Sequence, residues 1–200
     1  NYLGWPGTTG AKFMDYILAD GVVAPPESGQ FFEEAVVQLS GCYQSNDRRR
    51  RASEVTPTRA ACGLPERGTV FCCFNNIYKI GPEVLDDWLA IVKSVEGSVL
   101  WLLDDSAAAT ANLRAEVARR GVSPDRLVTS PRLPLADHLA RPRHADAFLD
   151  TFPYNAHTTA SDALFMNVPV VTRRGRAFQS RVAAALLAAA GVPELVADAR

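Results

Sequence analysis

From residue 67 onward the sequence predicts a parallel α/β sheet covered by helices on both faces. Three observations predict it. Apolar runs of strand length recur without the in-and-out alternation of a half-exposed strand; each is followed by a segment of helical spacing; and Pro82 and Gly121 stand where a helix starts and stops. Strands buried on both faces read as continuous apolar runs, and strands that alternate with helices belong to βαβ units. The fold class is therefore α/β, a doubly wound, Rossmann-like parallel sheet.

The elements follow in order. "GTVFCCF" (68–74) is the first strand, and "PEVLDDWLAIVKSV" (82–95) a helix with Pro in its first turn. "SVLWLLDD" (98–105) is the second strand. "AAATANLRAEVARRGV" (107–122) is helical, with Gly121 as its stop signal. "DRLVTSP" (125–131) is the third strand, and "LADHLARPRHA" (135–145) a short helix interrupted or ended near Pro142. "DAFLDTF" (146–152), helix "TTASDALFMN" (158–167), strand "PVVTR" (169–173) and the Ala-rich helix "AFQSRVAAALLAAAG" (177–191) complete the series.

Residues 1–45 do not fit this alternation. "NYLGWPGTTG" reads as a strand running into a Gly-Pro-rich turn, and the segment has many aromatics but too few elements to enclose them. It reads as the end of another domain. Residues 46–66, with an Arg run, Pro57 and "GLPERG", read as a linker or exposed crossing. "PELVADAR" stops without an obvious ending, so the expectation is a fragment.

Composition narrows the function. The chain has 200 residues, 48% hydrophobic and 22% charged, with formal net charge −1, an ordinary globular balance without general attraction for nucleic acid or an anionic membrane. The one basic cluster, "NDRRRRASE" (46–54), reads as a solvated loop. Cys42, Cys62, Cys72 and Cys73 contain no CxxC pair, which points to reduced thiols in the cytoplasm and away from zinc or a disulfide framework. No signal peptide and no apolar run of about 18 residues is present, so a soluble protein is expected.

In an open parallel sheet, ligands sit outside the carboxyl ends of the strands. Four loops occupy those ends: Asn75–Lys79, Ser130–His138, Pro153–Asp162 and Thr172–Arg181. The third is the richest. A helix starting near Thr158 leaves the N–H groups of Thr158, Thr159 and Ala160 as donors at the positive end of its dipole, a place for phosphate. Asp162 is placed to accept from sugar hydroxyls. Capping of the helix by Thr158 or Thr159 explains the same residues without a ligand, with His157 a surface residue and Asp162 a dipole-favoured acid. Lys79, just past a strand end, offers a mobile charge for a diphosphate, with the amide of Asn76 beside it. His138 and Arg141, at i and i+3, share a helix face that covers a flat base or simply faces solvent. Arg173, Arg174 and Arg176 face either phosphates or water. There is no GxGxxG after the first strand, no GxxxxGK[ST], no GxSxG and no metal-ligand spacing. What remains is a metal-free diphosphate site.

"NYLGWPGTTGAKFMDY", "FCCFNNIYKI", "SVLWLL", "LFMNVPVVT" and above all "LDTFPYNAHTTASDAL" resemble the O-linked N-acetylglucosamine transferase and SPINDLY-type family, its bacterial members in particular. The resemblance implies a GT-B fold of two Rossmann-like domains, often preceded by tetratricopeptide repeats. It implies that 1–45 ends the N-terminal catalytic half, 46–66 is a linker and 67–200 is the nucleotide-sugar-binding half. Lys79 would then contact the donor diphosphate and stabilise the leaving UDP, with Asn76 where the family usually has Gln. His157, Thr158 and Thr159 would hold the diphosphate and Asp162 the ribose hydroxyls. Leu133 would touch uracil through its backbone, His138 would stack near it and Arg141 would approach its edge. Two departures stand out: Leu135 where animal relatives carry Lys, and Arg174 and Arg176 in place of the Pro and Glu of a "PGE" stretch.

The implied activity is inverting, metal-independent transfer of a sugar, N-acetylglucosamine first, from a UDP-sugar to Ser or Thr hydroxyls of protein. No cofactor is implied beyond the donor, and the general base is unassigned. This piece alone is expected to be inactive. Competing readings are a transferase using GDP-fucose or UDP-glucose, a nucleotide-sugar epimerase, and a non-catalytic nucleotide-binding domain.

Overall fold

The computed structural model describes residues 1–198. The main body is a six-stranded parallel sheet built from β3 (Val70–Cys73), β4 (Val99–Leu103), β5 (Leu127–Ser130), β6 (Ala147–Leu149), β7 (Val170–Arg174) and β8 (Val196–Asp198). A separate two-stranded parallel sheet pairs β1 (Tyr16–Asp20) with β2 (Ala35–Leu39). The helices are α1 (Pro82–Ser94), α2 (Ala107–Arg119), α3 (Leu135–Ala140), α4 (Thr158–Phe165) and α5 (Val182–Ala190).

The strand order is β5-β4-β3-β6-β7-β8. The chain moves outward from β3 through β4 to β5, then returns to the other side of β3 as β6. The order reverses between β3 and β6, and the crevice at such a reversal is where doubly wound sheets bind ligands.

The helices and strands form for the reasons visible in their residues. All five residues of β4 are buried, as expected of a central strand. Its Trp101 is fully buried and its indole N–H donates to Ser130 Oγ at 2.7 Å, which removes the cost of desolvating that donor. In α1, Pro82 opens the helix and Val84, Leu85, Trp88, Leu89 and Val92 form the buried stripe. Ser106 caps α2 and Gly121, at φ +75°, follows its end. All four cysteines are free thiols, with Cys72 and Cys73 buried on opposite faces of β3.

Four differences from the sequence reading concern weak local signals. Residues 1–10 contain no strand; "GTTG" is instead pinned by buried Glu34, which accepts from Thr8 Oγ1 (2.7 Å), Thr9 Oγ1 (2.6 Å) and the Thr9 N–H (2.8 Å). The stretch 177–191 opens with a single 3-10 turn, Phe178–Ser180, before α5. The "PELVADAR" segment supplies β8, an edge strand too short for its composition to announce. Its last two residues, Ala199 and Arg200, which also end the expected 67–200 domain, lie outside the described residues. The crossing 46–66 carries neither strand nor α-helix but is docked: the Ser53 N–H donates to the Ala136 carbonyl (2.9 Å), and Leu64 enters the main core.

The hydrophobic interior has two parts. One lies on the six-stranded sheet, centred on Trp101, Leu100, Leu102 and Phe148. The other joins Ile17, Ala19, Val23 and Tyr43 from the first segment to Phe178, Val182 and Ala185 from the last. No helix among the described residues is long and apolar enough to cross a membrane.

One close approach is unforgiving. At Gly68 (φ +111°) a Cβ would lie 2.3 Å from the Gly97 carbonyl oxygen, backbone against backbone at the entry to β3. Gly68→Ala is expected to destabilise by about 2–4 kcal/mol. Gly121→Ala, where the same atom meets open space, should lose about 1 kcal/mol. Urea unfolding of both variants measures the difference.

Candidate active site

The site lies at the carboxyl ends of β3 and β6. β6 delivers Asp150, which is buried, and the chain winds around its carboxylate. Oδ1 accepts the Thr151 N–H (2.7 Å) and the Ala156 N–H (2.6 Å), and Oδ2 accepts the Thr172 hydroxyl from β7 (2.6 Å). Burial still outweighs these donors and pushes the carboxyl up to about 7. Asn155, also buried, donates through its side chain to the Thr151 carbonyl (2.9 Å), and its own N–H reaches the Gln179 carbonyl (3.0 Å). The loop 150–156 is thereby closed on itself and on the segment after β7.

Asn75, at the end of β3, ties this loop to the neighbouring strand. Its amide donates to Thr151 Oγ1 (2.7 Å), and its carbonyl accepts the Thr159 hydroxyl. The capping question raised by the sequence is settled by that bond. The N-cap position of α4 is His157, no side chain caps the helix, and Thr159 points its hydroxyl at Asn75. The first turn of α4 thus faces the crevice without a side-chain acceptor of its own.

Lys79 sits in a 3-10 turn, Ile77–Lys79, and reaches back over the loop. Its Nζ donates to the Asn155 carbonyl (3.1 Å) and lies 4.0 Å from the centre of the Tyr154 ring. Burial lowers the Lys79 pKa, and the Asp150 charge opposes that shift. Lys79, Asn76, His157, Thr158 and Thr159 line one cleft of about 270 Å³. The Asn76 amide already accepts from Arg132 and donates to the Tyr78 hydroxyl (3.3 Å), so it arrives at the cleft rim partly committed.

His157 stacks on Tyr154 with ring centroids 5.0 Å apart. Burial and the adjacent Lys79 charge push its pKa down to about 4, with the Gln179 backbone opposing that shift. Its Nε2 is buried without a partner. His157 is a half-buried wall of the cleft with its Nε2 buried, not the surface residue of the capping reading.

Leu133, His138 and Arg141 line an adjoining hollow of about 260 Å³ that shares Phe74, Arg132 and Thr159 with the first. Leu135, exposed, is on the same rim. Arg141 is almost fully buried: its guanidinium lies 4.3 Å from the Phe74 ring centre, donates to the Pro131 carbonyl (2.7 Å) and approaches His138 Nδ1 at 3.0 Å. Arg141 has only donors, so His138 Nδ1 is the acceptor and the proton sits on Nε2. Burial, with Arg141 and Arg132 nearby, lowers the His138 pKa to about 4.

Two readings need correction. The Arg run is not wholly a solvated loop. Arg48, Arg49 and Arg51 are exposed, but Arg50 inserts against α4, pairs with Asp162 Oδ1 at 2.5 Å, donates to Ser161 Oγ (3.1 Å) and covers the Phe165 ring. The two paired side chains are only 8% and 6% exposed. Asp162 is accordingly no free dipole-favoured acid at the helix surface. One oxygen is held by Arg50 and the other lies 3.7 Å from His138 Nε2. The basic cluster after β7 also disperses: Arg173 covers the Phe152 ring, and Arg176 lines a separate hollow beside Pro6 and Phe31.

Sequence reasoning missed Asn75, Asp150, Tyr154 and the first segment as a wall. Leu3–Pro6 and Tyr43 face Tyr154, His157 and Thr158 across a hollow of about 220 Å³. The available signal was the exposed aromatic content of residues 1–13, where Trp5 is 61% and Phe13 81% exposed.

The fold and its polar crevice define a doubly wound α/β protein of the Rossmann-like class whose functional edge is the β3/β6 switch point. Comparison with known proteins narrows the class. The family model described as Glycosyl transferase family 41 matches residues 1–51 and 44–200, and the chain belongs to that family. The probable UDP-N-acetylglucosamine–peptide N-acetylglucosaminyltransferase SEC of Arabidopsis thaliana is 38% identical over 197 residues, 96% of this chain and 20% of the relative. The UDP-N-acetylglucosamine–peptide N-acetylglucosaminyltransferase of Caenorhabditis elegans is 41% identical over 148 residues, 74% of this chain and 13% of the relative. A solved mutant of the Thermobaculum terrenum O-GlcNAc transferase, a GT-B glycosyltransferase, superposes with TM-score 0.87 at 34% identity, covering 98% of this chain and 37% of that one. The chain spans about a fifth or less of the length of these two curated relatives.

Both site histidines are neutral when folded, with pKa values near 4 against an ordinary 6.5. A base whose folded pKa is depressed lends stability that is present above its unfolded pKa and lost as pH falls through the window below it. Stability should therefore drop between pH 6.5 and about 4. The double variant His138→Gln, His157→Gln should flatten that slope, by roughly 1.4 kcal/mol per pH unit for each proton removed from the balance. Denaturant titrations at several pH values across the window provide the check.

Proposed function

We propose that this chain supplies the donor-binding side of an inverting, metal-independent transferase that moves N-acetylglucosamine from UDP-N-acetylglucosamine to Ser or Thr hydroxyls of peptides in the cytoplasm. The activities named for the relatives support the donor and the peptide acceptor. One observation within the chain carries the reading: Lys79 and the uncapped first turn of α4 line the same cleft. In the intact protein, residues N-terminal to this stretch, with any tetratricopeptide repeats, would supply the rest of the cleft and the acceptor groove.

The chemistry follows from where charge develops. Breaking the bond between the sugar and UDP builds negative charge on the leaving diphosphate. Thr158, Thr159 and Ala160 offer preorganised N–H donors and Lys79 an ammonium, so these groups bind the transition state more tightly than the ground state. Leu133, His138 and Arg141 frame the adjoining hollow for the uracil. The ribose lies towards Asp162, whose carboxyl pKa is raised by burial while the Arg50 charge opposes that shift. The neutral ring of His157, its Nε2 unpartnered, lines the same cleft.

Lys79→Ala in the full-length protein should lower kcat for UDP release from UDP-N-acetylglucosamine by about 10²–10³-fold, with an unchanged unfolding midpoint. UDP should bind and GDP should not, by calorimetry. Equal binding of both nucleotides, or a Lys79→Ala enzyme as fast as wild type, would refute the reading.

A further inference from the structure

We propose that Asp150 is a positioning residue for the transfer reaction, acting on Lys79 through the peptide group between Asn155 and Ala156. The inference rests on the donor-site reading above. Its geometric basis is that one peptide plane serves both residues. The N–H of Ala156 donates to Asp150 Oδ1 at 2.6 Å, and the carbonyl of the same peptide, on Asn155, accepts from Lys79 Nζ at 3.1 Å. An anion on the N–H side polarises the amide and strengthens its oxygen as an acceptor. The carboxylate thus fixes both the tilt of the plane and the strength with which it seats the ammonium.

A purely structural role does not require a carboxylate. An amide at 150 accepts the two N–H groups through its oxygen, and its NH2 meets the Thr172 hydroxyl, which turns to accept. What the acid adds is charge, and burying that charge is costly. The cost is visible in the raised pKa, about 7, and the charge is directed at Lys79. The other groups facing the pair contribute little charge. Cys73, on β3, is a buried thiol held well above its usual pKa; the phenol of Tyr154 is likewise raised; and His157 is neutral. Arg132, on the rim, is engaged by Asp105 at 2.8 Å, and Arg173 lies over Phe152. Asp150 is thus the anion that Lys79 meets before a diphosphate arrives.

The step it serves needs no new bond to the protein. When the sugar leaves, the electron pair of the broken bond stays on the β-phosphate oxygen of UDP, and the ammonium of Lys79 has to be charged and already aimed at it.

The test uses the full-length protein and measures UDP release from UDP-N-acetylglucosamine with a peptide acceptor, across pH 5.5–10. Asp150→Asn should lower kcat at least tenfold and move the alkaline limb of kcat to lower pH, because the ammonium loses its anion. An Asp150→Asn enzyme that unfolds more easily but keeps the wild-type kcat and limb would overturn the proposal. Thr172→Val tests it independently of whether that variant folds. It removes one donor from the carboxylate, leaves the residue acidic, and should shift the acidic limb of kcat upward; an unmoved limb counts against the proposal. Lys79→Ala separates the two levels. If it is fully active, the donor-site reading fails and this inference with it. If Lys79→Ala is crippled while Asp150→Asn behaves as wild type, the inference alone fails.

Discussion

A carboxylate taken out of water is tolerated only where donors surround it, and that constraint organises the functional edge of this protein. The backbone after β6 curls until the N–H groups of Thr151 and Ala156 both point at Asp150, while β7 contributes the Thr172 hydroxyl. Once the curl is made, the Asn155 carbonyl has one direction available, towards Lys79, and α4 begins immediately beyond it. The cleft is shaped less by the residues that line it than by the buried acid behind them.

The same economy governs charge elsewhere in the site. Two histidines are kept neutral by burial, and the charges that do go inside are paired or stacked: Arg50 with Asp162, Arg141 on the face of Phe74. An unpartnered ion in such a place costs several kcal/mol, so each buried charge comes with its own neutralising or polarisable neighbour. Buried atoms without a partner include Arg50 Nε, Arg141 Nε, Asn155 Oδ1 and His157 Nε2, and the last of these, like the uncapped first turn of α4, borders the cleft.

Much of this was legible in the sequence because the main sheet is buried on both sides. Continuous runs such as "VLWLL" cannot alternate when both faces are covered, and their order with the intervening helices defines the switch point that locates the loops. Lys79, Thr158 and Thr159 were legible for that reason, as polar residues at strand ends. Arg50 was not, because the contact that buries it joins residues 112 positions apart and its three Arg neighbours make the run look solvated. Asp150 was hidden at the end of an apolar run, where a single acid reads as the end of a strand. β1 and β2 escaped because a two-stranded parallel pair rests on partners outside its own sequence window, here the aromatic and aliphatic side chains of the last helix region.

The core shared between the first and last segments has a mechanical meaning. Ile17, Val23 and Tyr43 are packed on Phe178, Val182 and Ala185, and Arg181 clamps the Val22 carbonyl at 2.5 Å. Pulling the two sheets apart there would wet an apolar seam, which resists separation in proportion to its area. A small rotation about the seam leaves it dry. Trp5 and Thr158 stand on opposite lips of the hollow, whose wall includes Tyr43 from that seam, so the greasy joint at α5 also fixes how far apart those lips are held.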